Sequence, residues 1–344
     1  VGGGVVTGAN PIAPDRPSPL LSVRGLRVAF ATPAGRVEVV SGVDLDIAQG
    51  ERLALVGESG SGKSVTGRAL MRLDHDAIVA GSISYRGREL TELSEKAMRS
   101  YRGAALAMVF QDPLSALNPT MTIGAQITEA LRMRGTSRRA ADALAVSTLE
   151  ELEVADAKRR LRAYPHEFSG GMRQRVCLAM ALVGEPDLLI ADEPTTALDV
   201  RVQGKVLDLL DEVSRRRGLS VLLITHDLGV VAGFADRVAV LYSGRVVERA
   251  DVFTLFAGPV HPYSRGLLEA VPRIDVDQQV LASVPGVPPS PAARPAGCAF
   301  HPRCALATDV CREQVPVLTA TGSGNGLAAC HVRAPQPLSP GPAR

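Results

Sequence analysis

Eight consecutive residues, Gly57-Glu58-Ser59-Gly60-Ser61-Gly62-Lys63-Ser64, have the composition of a phosphate cradle. Glycine leaves the backbone free to turn its N–H groups toward anionic oxygens without a Cβ in the way. A helix opening at this point adds partial positive charge at its N-terminus. Lys63 adds a full charge for the β- and γ-phosphates of ATP, and the Ser64 hydroxyl is placed to ligate Mg²⁺. The run fits G-x-x-x-x-G-K-[ST], the P-loop. It follows the apolar stretch 53–56 and precedes helix-forming residues, the context that gives the pattern its meaning. The plain alternative, a glycine turn that binds nothing, does not require this context.

A second constellation lies downstream. Leu188-Leu189-Ile190-Ala191 reads as a buried strand and ends in Asp192 and Glu193. An Asp at a sheet end suits Mg²⁺, directly or through water. The neighbouring Glu193 suits a general base acting on water. Alone, the pair would pass for a solvated acidic turn. His226 follows another apolar run, 221–224, and could contact a γ-phosphate or orient the water.

The elements that must position these residues follow from periodicity. Four-residue apolar runs at 53–56, 188–191, 221–224 and 238–241 read as strands of a mostly parallel sheet buried on both faces. Val206, Leu209, Leu210 and Val213 fall on one helical stripe that Gly218 stops. Strand, helix, strand is a βαβ unit. Between about 112 and 165 strand-like runs vanish and helix formers dominate, as in 138–152, so a helical insertion is expected. Residues 1–20 read as a disordered lead-in and 333–344 as a flexible tail.

Phe168-Ser169-Gly170-Gly171-Met172 resembles the signature motif of ABC ATPases. Gln111 resembles their Q-loop glutamine, with a metal-ligating role, Ala197-Leu198-Asp199 their D-loop, and His226 their switch histidine. Phe30 is placed like the aromatic that stacks on adenine, with core packing as its other reading. The resemblance extends to the nucleotide-binding subunits of the oligopeptide/dipeptide (and nickel) importers. Its further carriers are Phe110-Gln111-Asp112-Pro113, Leu117-Asn118-Pro119, Tyr164-Pro165-His166-Glu167-Phe168, His261-Pro262-Tyr263, Gly297-Cys298 and Pro302-Arg303-Cys304. It covers about residues 21–332. It implies an α/β fold: a P-loop NTPase (RecA-like) ABC core at 21–250, a helical subdomain at about 112–170 and a small Cys-containing C-terminal extension at 251–332.

The resemblance also implies a mechanism. Two subunits sandwich two ATP molecules, and the P-loop of one faces Ser169, Gly170 and Gly171 of the other. Met172 departs from the Gln usual at the end of the signature. This form resembles one of the two ATPase subunits in the importer family, which implies a heterodimer with a related subunit, two membrane permeases and, indirectly, an extracellular solute-binding protein. The place implied is the cytoplasmic face of the cell membrane, held peripherally.

Cys298, Cys304, Cys311 and Cys330 cluster in the last fifth of the chain, apart from a lone Cys177. In a reducing compartment such a cluster points to metal before disulfides. The spacings do not fit paired C-x2-C zinc patterns. Four thiolates can hold Zn²⁺ or an iron–sulfur cluster, and the importer resemblance implies a [4Fe–4S] cluster. His301 and His331 sit beside the set. The plain alternative is four unliganded cysteines packed in a small domain.

Composition narrows the function classes. With 38 basic and 36 acidic residues, net charge is +2, so there is no general pull toward nucleic acid or anionic lipid. Aromatics are 3% with no Trp, so base-stacking platforms are scarce. No apolar run is long enough to span a bilayer, and the first twenty residues lack the pattern of a secretory signal. The basic clusters Lys158-Arg159-Arg160 with Arg162, and Arg215-Arg216-Arg217, read as solvated helix faces. The competing class, a non-transport ABC ATPase in DNA repair or translation, needs a long insert or a second cassette. Only 106 positions separate Lys63 from Ser169.

Overall fold

The computed structural model describes residues 18–112, 116–195, 199–271, 284–322 and 326–332. Strands β1 (Leu21–Thr32) and β2 (Gly35–Ile47) form an antiparallel hairpin, and β3 (Arg52–Val56) then starts a second sheet. β4 (Ala77–Tyr85) pairs with the free side of β1 and β5 (Arg88–Glu89) with β4, giving the first sheet the order β2-β1-β4-β5. The second sheet adds β6 (Leu106–Val109), β7 (Leu188–Asp192), β8 (Ser220–Thr225), β9 (Arg237–Tyr242), β10 (Arg245–Asp251), β11 (Thr319–Ala320) and β12 (Leu327–Ala328). Its order is β11-β12-β10-β9-β3-β8-β7-β6. The block β9-β3-β8-β7-β6 is parallel, whereas β10, β12 and β11 are added antiparallel.

The four expected parallel strands are β3, β7, β8 and β9, and burial explains their continuous apolar character. Leu189 and Ala191 of β7 and Val221 and Leu223 of β8 enter one core. Their neighbours Leu188, Ile190, Leu222 and Ile224 enter another. With both faces covered, the interior positions of these strands are apolar, and polar residues such as Arg52, Ser220, Thr225, Arg237 and Asp192 stand at strand ends.

The helices are α1 (Lys63–Leu70), α2 (Glu95–Arg99), α3 (Ile123–Met133), α4 (Arg138–Glu151), α5 (Ala157–Arg160), α6 (Gly170–Leu182), α7 (Val200–Arg217), α8 (Leu228–Phe234), α9 (Val252–Ala257), α10 (Pro262–Glu269) and α11 (Asp309–Glu313). The helical insertion is present as α3–α5, packed with α6 around Ile127, Ala145, Leu149, Val176 and Leu178. Thr122, Ser137 and Ser169 cap α3, α4 and α6 by accepting a backbone N–H three residues on. The stripe Val206, Leu209, Leu210, Val213 is buried on α7, and Gly218 ends that helix in the left-handed conformation.

Three features depart from the sequence reading. The antiparallel sheet β2-β1-β4-β5 and strand β6 were not expected. The lead-in ends earlier than residue 20, because Leu20 is buried and its carbonyl accepts the Arg86 N–H. The C-terminal extension also prolongs the main sheet, with Ala328 and Leu327 of β12 opposite Glu248 and Arg249 of β10. Residues 1–17, 272–283 and the tail 333–344 lie outside the described residues.

Candidate nucleotide site

The parallel strands deliver the functional residues to one edge. The P-loop leaves the carboxyl end of β3, Asp192 and Glu193 stand at that of β7, His226 follows β8 and Gln111 follows β6. Since β3, β8, β7 and β6 are neighbours in this order, all four sets meet along one sheet edge, where open α/β sheets place ligands.

The loop is tightly built. Gly57 has φ +156°, and a Cβ there would lie 2.2 Å from the Leu241 carbonyl oxygen, so no side chain fits. Gly67 lets α1 lie close on the sheet, since an added Cβ would meet Ile224 Cδ1 at 2.7 Å. The antiparallel sheet braces the loop through the turn between β9 and β10, with the Gly244 N–H donating to the Ser61 carbonyl and the Ser41 N–H to the Gly244 carbonyl. Lys63 is buried and its Nζ donates to the carbonyls of Gly57 (2.7 Å) and Glu58 (3.0 Å). Burial holds its pKa below the usual lysine range, with Glu193, Asp192 and Glu58 opposing.

Ser64 Oγ donates to Asp192 Oδ1 at 2.9 Å, across 128 positions of chain. The two regions expected to share one metal–nucleotide are therefore in contact. Burial raises the Asp192 pKa, the Ser64 hydrogen bond opposes this, and Glu193 adds to the rise. Glu193 is held from both sides: Gln111 Nε2 donates to Oε2 at 2.9 Å, and His226 Nδ1 lies 3.2 Å from Oε1. The backbone of Glu193 is left-handed at φ 46°, and its N–H donates to the Ile224 carbonyl of β8. Such a conformation costs a non-glycine residue of order 1–3 kcal/mol. The ladder bond to β8 keeps it in place.

A hydroxyl and carboxylate oxygens form the hard donor set that Mg²⁺ prefers. The Ser61 Oγ is buried inside the cradle with no hydrogen-bond partner among the described residues. Both observations fit a metal–nucleotide.

This sequence matches the family described as ABC transporter over residues 40–196, and the family described as oligopeptide/dipeptide transporter, C-terminal region, over residues 247–311. The oligopeptide transport ATP-binding protein OppD of Salmonella typhimurium is 47% identical over 320 residues, which is 92% of this chain and 95% of that protein. The dipeptide transport ATP-binding protein DppD of Bacillus subtilis is 49% identical over 301 residues, 86% of this chain and 90% of that protein. The chain belongs to the ABC ATP-binding proteins of the oligopeptide/dipeptide transporter family. Among solved structures, the dimeric post-hydrolysis state of the ATP-binding cassette MJ0796 bound to ADP and Pi superposes with a TM-score of 0.61 at 26% identity. It covers 67% of this chain and 98% of the cassette. As a family member the chain is an ATPase acting on ATP with Mg²⁺.

The other expected residues of this ABC protein fall elsewhere. Ser169 and Gly170 are exposed at the start of α6, where Ser169 Oγ accepts the Met172 N–H. Gly171 packs so closely on Val202 of α7 that an added Cβ would lie 2.8 Å from it. Asp199 caps α7 by accepting the Val202 N–H, a role the sequence reading had not given it. Ala197, Leu198 and Pro113 lie outside the described residues. Phe30 sits on β1 opposite Val37 and Ala77, half-buried against the core below the antiparallel sheet, so packing accounts for part of its surface. The cluster at 215–217 is ion-paired, Arg215 with Asp211 and Arg216 and Arg217 with Glu151, and in the other cluster Arg159 pairs with Asp156.

Cys298, Cys304, Cys311 and Cys330 line one small cavity of about 10 Å³ with His301 and His331. All are free thiols, and burial raises the pKa of Cys298 and Cys304 and pushes Cys330 to about 11. The histidines are turned to backbone instead, His301 Nδ1 to the Cys298 carbonyl and His331 Nε2 to the Gln314 carbonyl. Among the described residues no three such side chains are arranged to hold a metal ion. The convergence of the cysteines was legible in their clustering; a metal-ready arrangement is not what the structure has.

Three functional contacts were missed. Tyr263 and Arg303, seen only as family strings, both close on Glu58 of the P-loop. Buried His261 caps α10 by accepting the Tyr263 N–H at Nδ1. No residue pattern within a motif announces contacts across 205 and 245 positions.

Proposed function

We propose that this chain is one of two ATP-binding subunits that power the import of peptides, or of a related solute, through two membrane permeases supplied by an extracellular solute-binding protein. The relatives named for oligopeptide and dipeptide transport support the solute class. Among the described residues no helix is long and apolar enough to cross a membrane. Attachment through permeases at the cytoplasmic face accords with that. Met172 supports a related, non-identical partner ATPase. The DNA-repair or translation reading has no support from the relatives reported above.

The observation that carries the catalytic reading is the Ser64–Asp192 contact beside Glu193 braced by Gln111 and His226. Glycines 57, 60 and 62, with the backbone of Glu58, Ser59 and Ser61, would wrap the phosphates, and Lys63 would exchange loop carbonyls for phosphate oxygens. Ser64, Asp192 and Gln111 would hold Mg²⁺, which supplies positive charge at the β- and γ-phosphate oxygens. Glu193 takes a proton from the attacking water, its carboxylate oriented by His226. Phe30 would stack on adenine with its exposed face. Ser169, Gly170 and Gly171 of the partner subunit would complete the γ-phosphate site, with Asp199 at the shared boundary. The test is Glu193→Gln in the assembled transporter. ATP turnover should fall by about 10²–10⁴ while Mg-ATP binding persists; normal turnover would remove Glu193 from its role.

A second reading concerns the cysteines. We infer a [4Fe–4S] cluster as the group they would hold, because all four clustered thiols, Cys330 included, line one cavity. The cavity must widen to admit it. Iron and sulfide assayed on anaerobically purified protein should approach four of each per chain; values near zero leave the four as packed neutral thiols.

A further inference from the structure

Among the described residues, the C-terminal extension is hydrogen-bonded to the phosphate-binding loop at Glu58. Arg303, whose side chain is 5% exposed, places its guanidinium fork on that carboxylate: Nη1 donates to Oε2 at 2.6 Å and Nη2 to Oε1 at 2.9 Å. Its other donors are also engaged. Nε reaches the Pro285 carbonyl at 2.7 Å, Nη2 the Val284 carbonyl at 3.2 Å and Nη1 the Tyr242 hydroxyl at 3.3 Å. The guanidinium also lies 5.8 Å from the ring centres of Tyr242 and Phe300. A guanidinium with every N–H spoken for is fixed in place, and only arginine has this fork.

Glu58 is gripped at two further points. Its N–H donates to the Tyr263 hydroxyl at 2.8 Å, and its carbonyl accepts Lys63 Nζ at 3.0 Å. Extension, Glu58 and the phosphate-binding lysine thus form one bonded chain. Tyr263 belongs to His261-Pro262-Tyr263 and Arg303 to Pro302-Arg303-Cys304, so two separate strings of the extension converge on one loop residue. Tyr242, Tyr263 and Phe300 pack against one another around the junction.

We propose that Arg303 is a positioning residue for the P-loop: through Glu58 the extension holds the loop in its nucleotide-accepting shape, making ATP affinity conditional on how the extension is packed. This rests on the ATP-binding reading above. Arg303 touches no nucleotide in this scheme and acts only through Glu58. The turn at 301–303 that carries it leads directly into Cys304, so a change at the cysteine cavity has a short covalent path to the loop.

The test measures Mg-ATP binding by titration calorimetry on the full chain, and KM and kcat in the assembled transporter. Arg303→Gln and Glu58→Gln should each raise Kd about tenfold, equivalent to about 1.4 kcal/mol. The double variant Glu58→Gln/Arg303→Gln should raise it no further than either single change, because both remove one interaction. In Arg303→Gln, KM should rise in step while kcat at saturating ATP stays within about twofold. Arg312→Gln, which breaks an exposed extension pair with Asp309, should leave Kd unchanged. If Arg303→Gln does not fold, Glu58→Gln alone and Arg303→Lys, which keeps charge without the fork, carry the same expectation of a raised Kd. Unchanged Kd in these variants, or effects that multiply in the double variant, would overturn the proposal. Failure of the wild-type chain to bind Mg-ATP would instead overturn the nucleotide reading itself.

Discussion

Protonating His261 should unlock the extension from the P-loop, and the cost can be worked out. The imidazole is almost wholly buried, and its Nδ1 accepts the Tyr263 N–H at 3.0 Å, an acceptor role only the neutral ring can fill. Burial lowers its pKa from 6.5 to about 3. The unfolded chain therefore binds this proton at higher pH than the folded chain does. The stabilisation is complete above about pH 6.5 and is lost as pH falls toward 3. The slope approaches about 1.4 kcal/mol per pH unit, and the loss reaches about 2 kcal/mol by pH 5. This pH 5 figure depends mainly on the unfolded value, since any folded pKa well below 5 gives nearly the same loss. Glu248, whose carboxylate accepts the Val260 and His261 N–H groups, has its pKa raised by burial and works in the opposite sense. His261→Asn isolates the term, because asparagine also caps a helix and does not titrate, while Glu248 is common to both proteins. Urea unfolding from pH 8 to pH 5 should show the stability difference, wild type minus variant, shrinking by about 2 kcal/mol. Parallel curves would refute a buried neutral histidine. Mg-ATP affinity should not follow that profile, because the folded ring stays neutral until pH approaches 3 and keeps Tyr263 in place on Glu58.

Other substitutions probe the site and its frame. Gly67→Ala should destabilise by about 1–3 kcal/mol, since the new methyl would sit 2.7 Å from Ile224 Cδ1 and 3.2 Å from Ile190 Cγ2. Gly204→Ala, in the middle of α7 with no atom within 4 Å of the added Cβ, should instead stabilise by about 0.5–1 kcal/mol. Denaturant midpoints moving in the same direction would contradict both arguments. Asp192→Asn removes the carboxylate beside Ser64, so nucleotide binding should need more Mg²⁺ to reach half-saturation and turnover should drop at least a hundredfold. An unchanged Mg²⁺ midpoint in binding titrations would exclude Asp192 as a ligand.

The legible part of this protein is its local chemistry. The P-loop, the Asp192–Glu193 pair and the continuous apolar strands are short-range patterns, and each strand buried on both faces leaves an unbroken signature. The antiparallel sheet left a weaker one: Val43-Asp44-Leu45-Asp46-Ile47 of β2 alternates, but β1 does so poorly, because register shifts interrupt its pairing with β2 at Val23/Leu26 and again at Val28/Ala29. β6 reads Leu-Ala-Met-Val, three of them helix formers, and leads into the exposed Phe110, so its pattern does not separate it from a helix fragment. The contacts of Tyr263 and Arg303 were illegible for another reason. Their strings were visible, but what they touch depends on β9 and the aromatic packing at its end, which bring the extension back over the loop.

The geometry also bears on when this subunit can hydrolyse ATP. The strand-end set lies on one edge of the sheet, whereas Ser169 and Gly170 are exposed at the start of a helix that packs with the helical insertion. Lys63 and Asp192 are both pushed toward their neutral forms by burial; a nucleotide phosphate favours charged Lys63 and a divalent cation favours ionised Asp192, so occupancy should reverse both shifts. Loading the P-loop thus readies the charges, but on this reading the donors of the signature motif come only from a second subunit. A chain arranged this way would bind ATP alone and spend it only when paired, so turnover would follow assembly on the permeases. The extension adds a further condition, since Glu58 receives Arg303 on one side and Lys63 on the other.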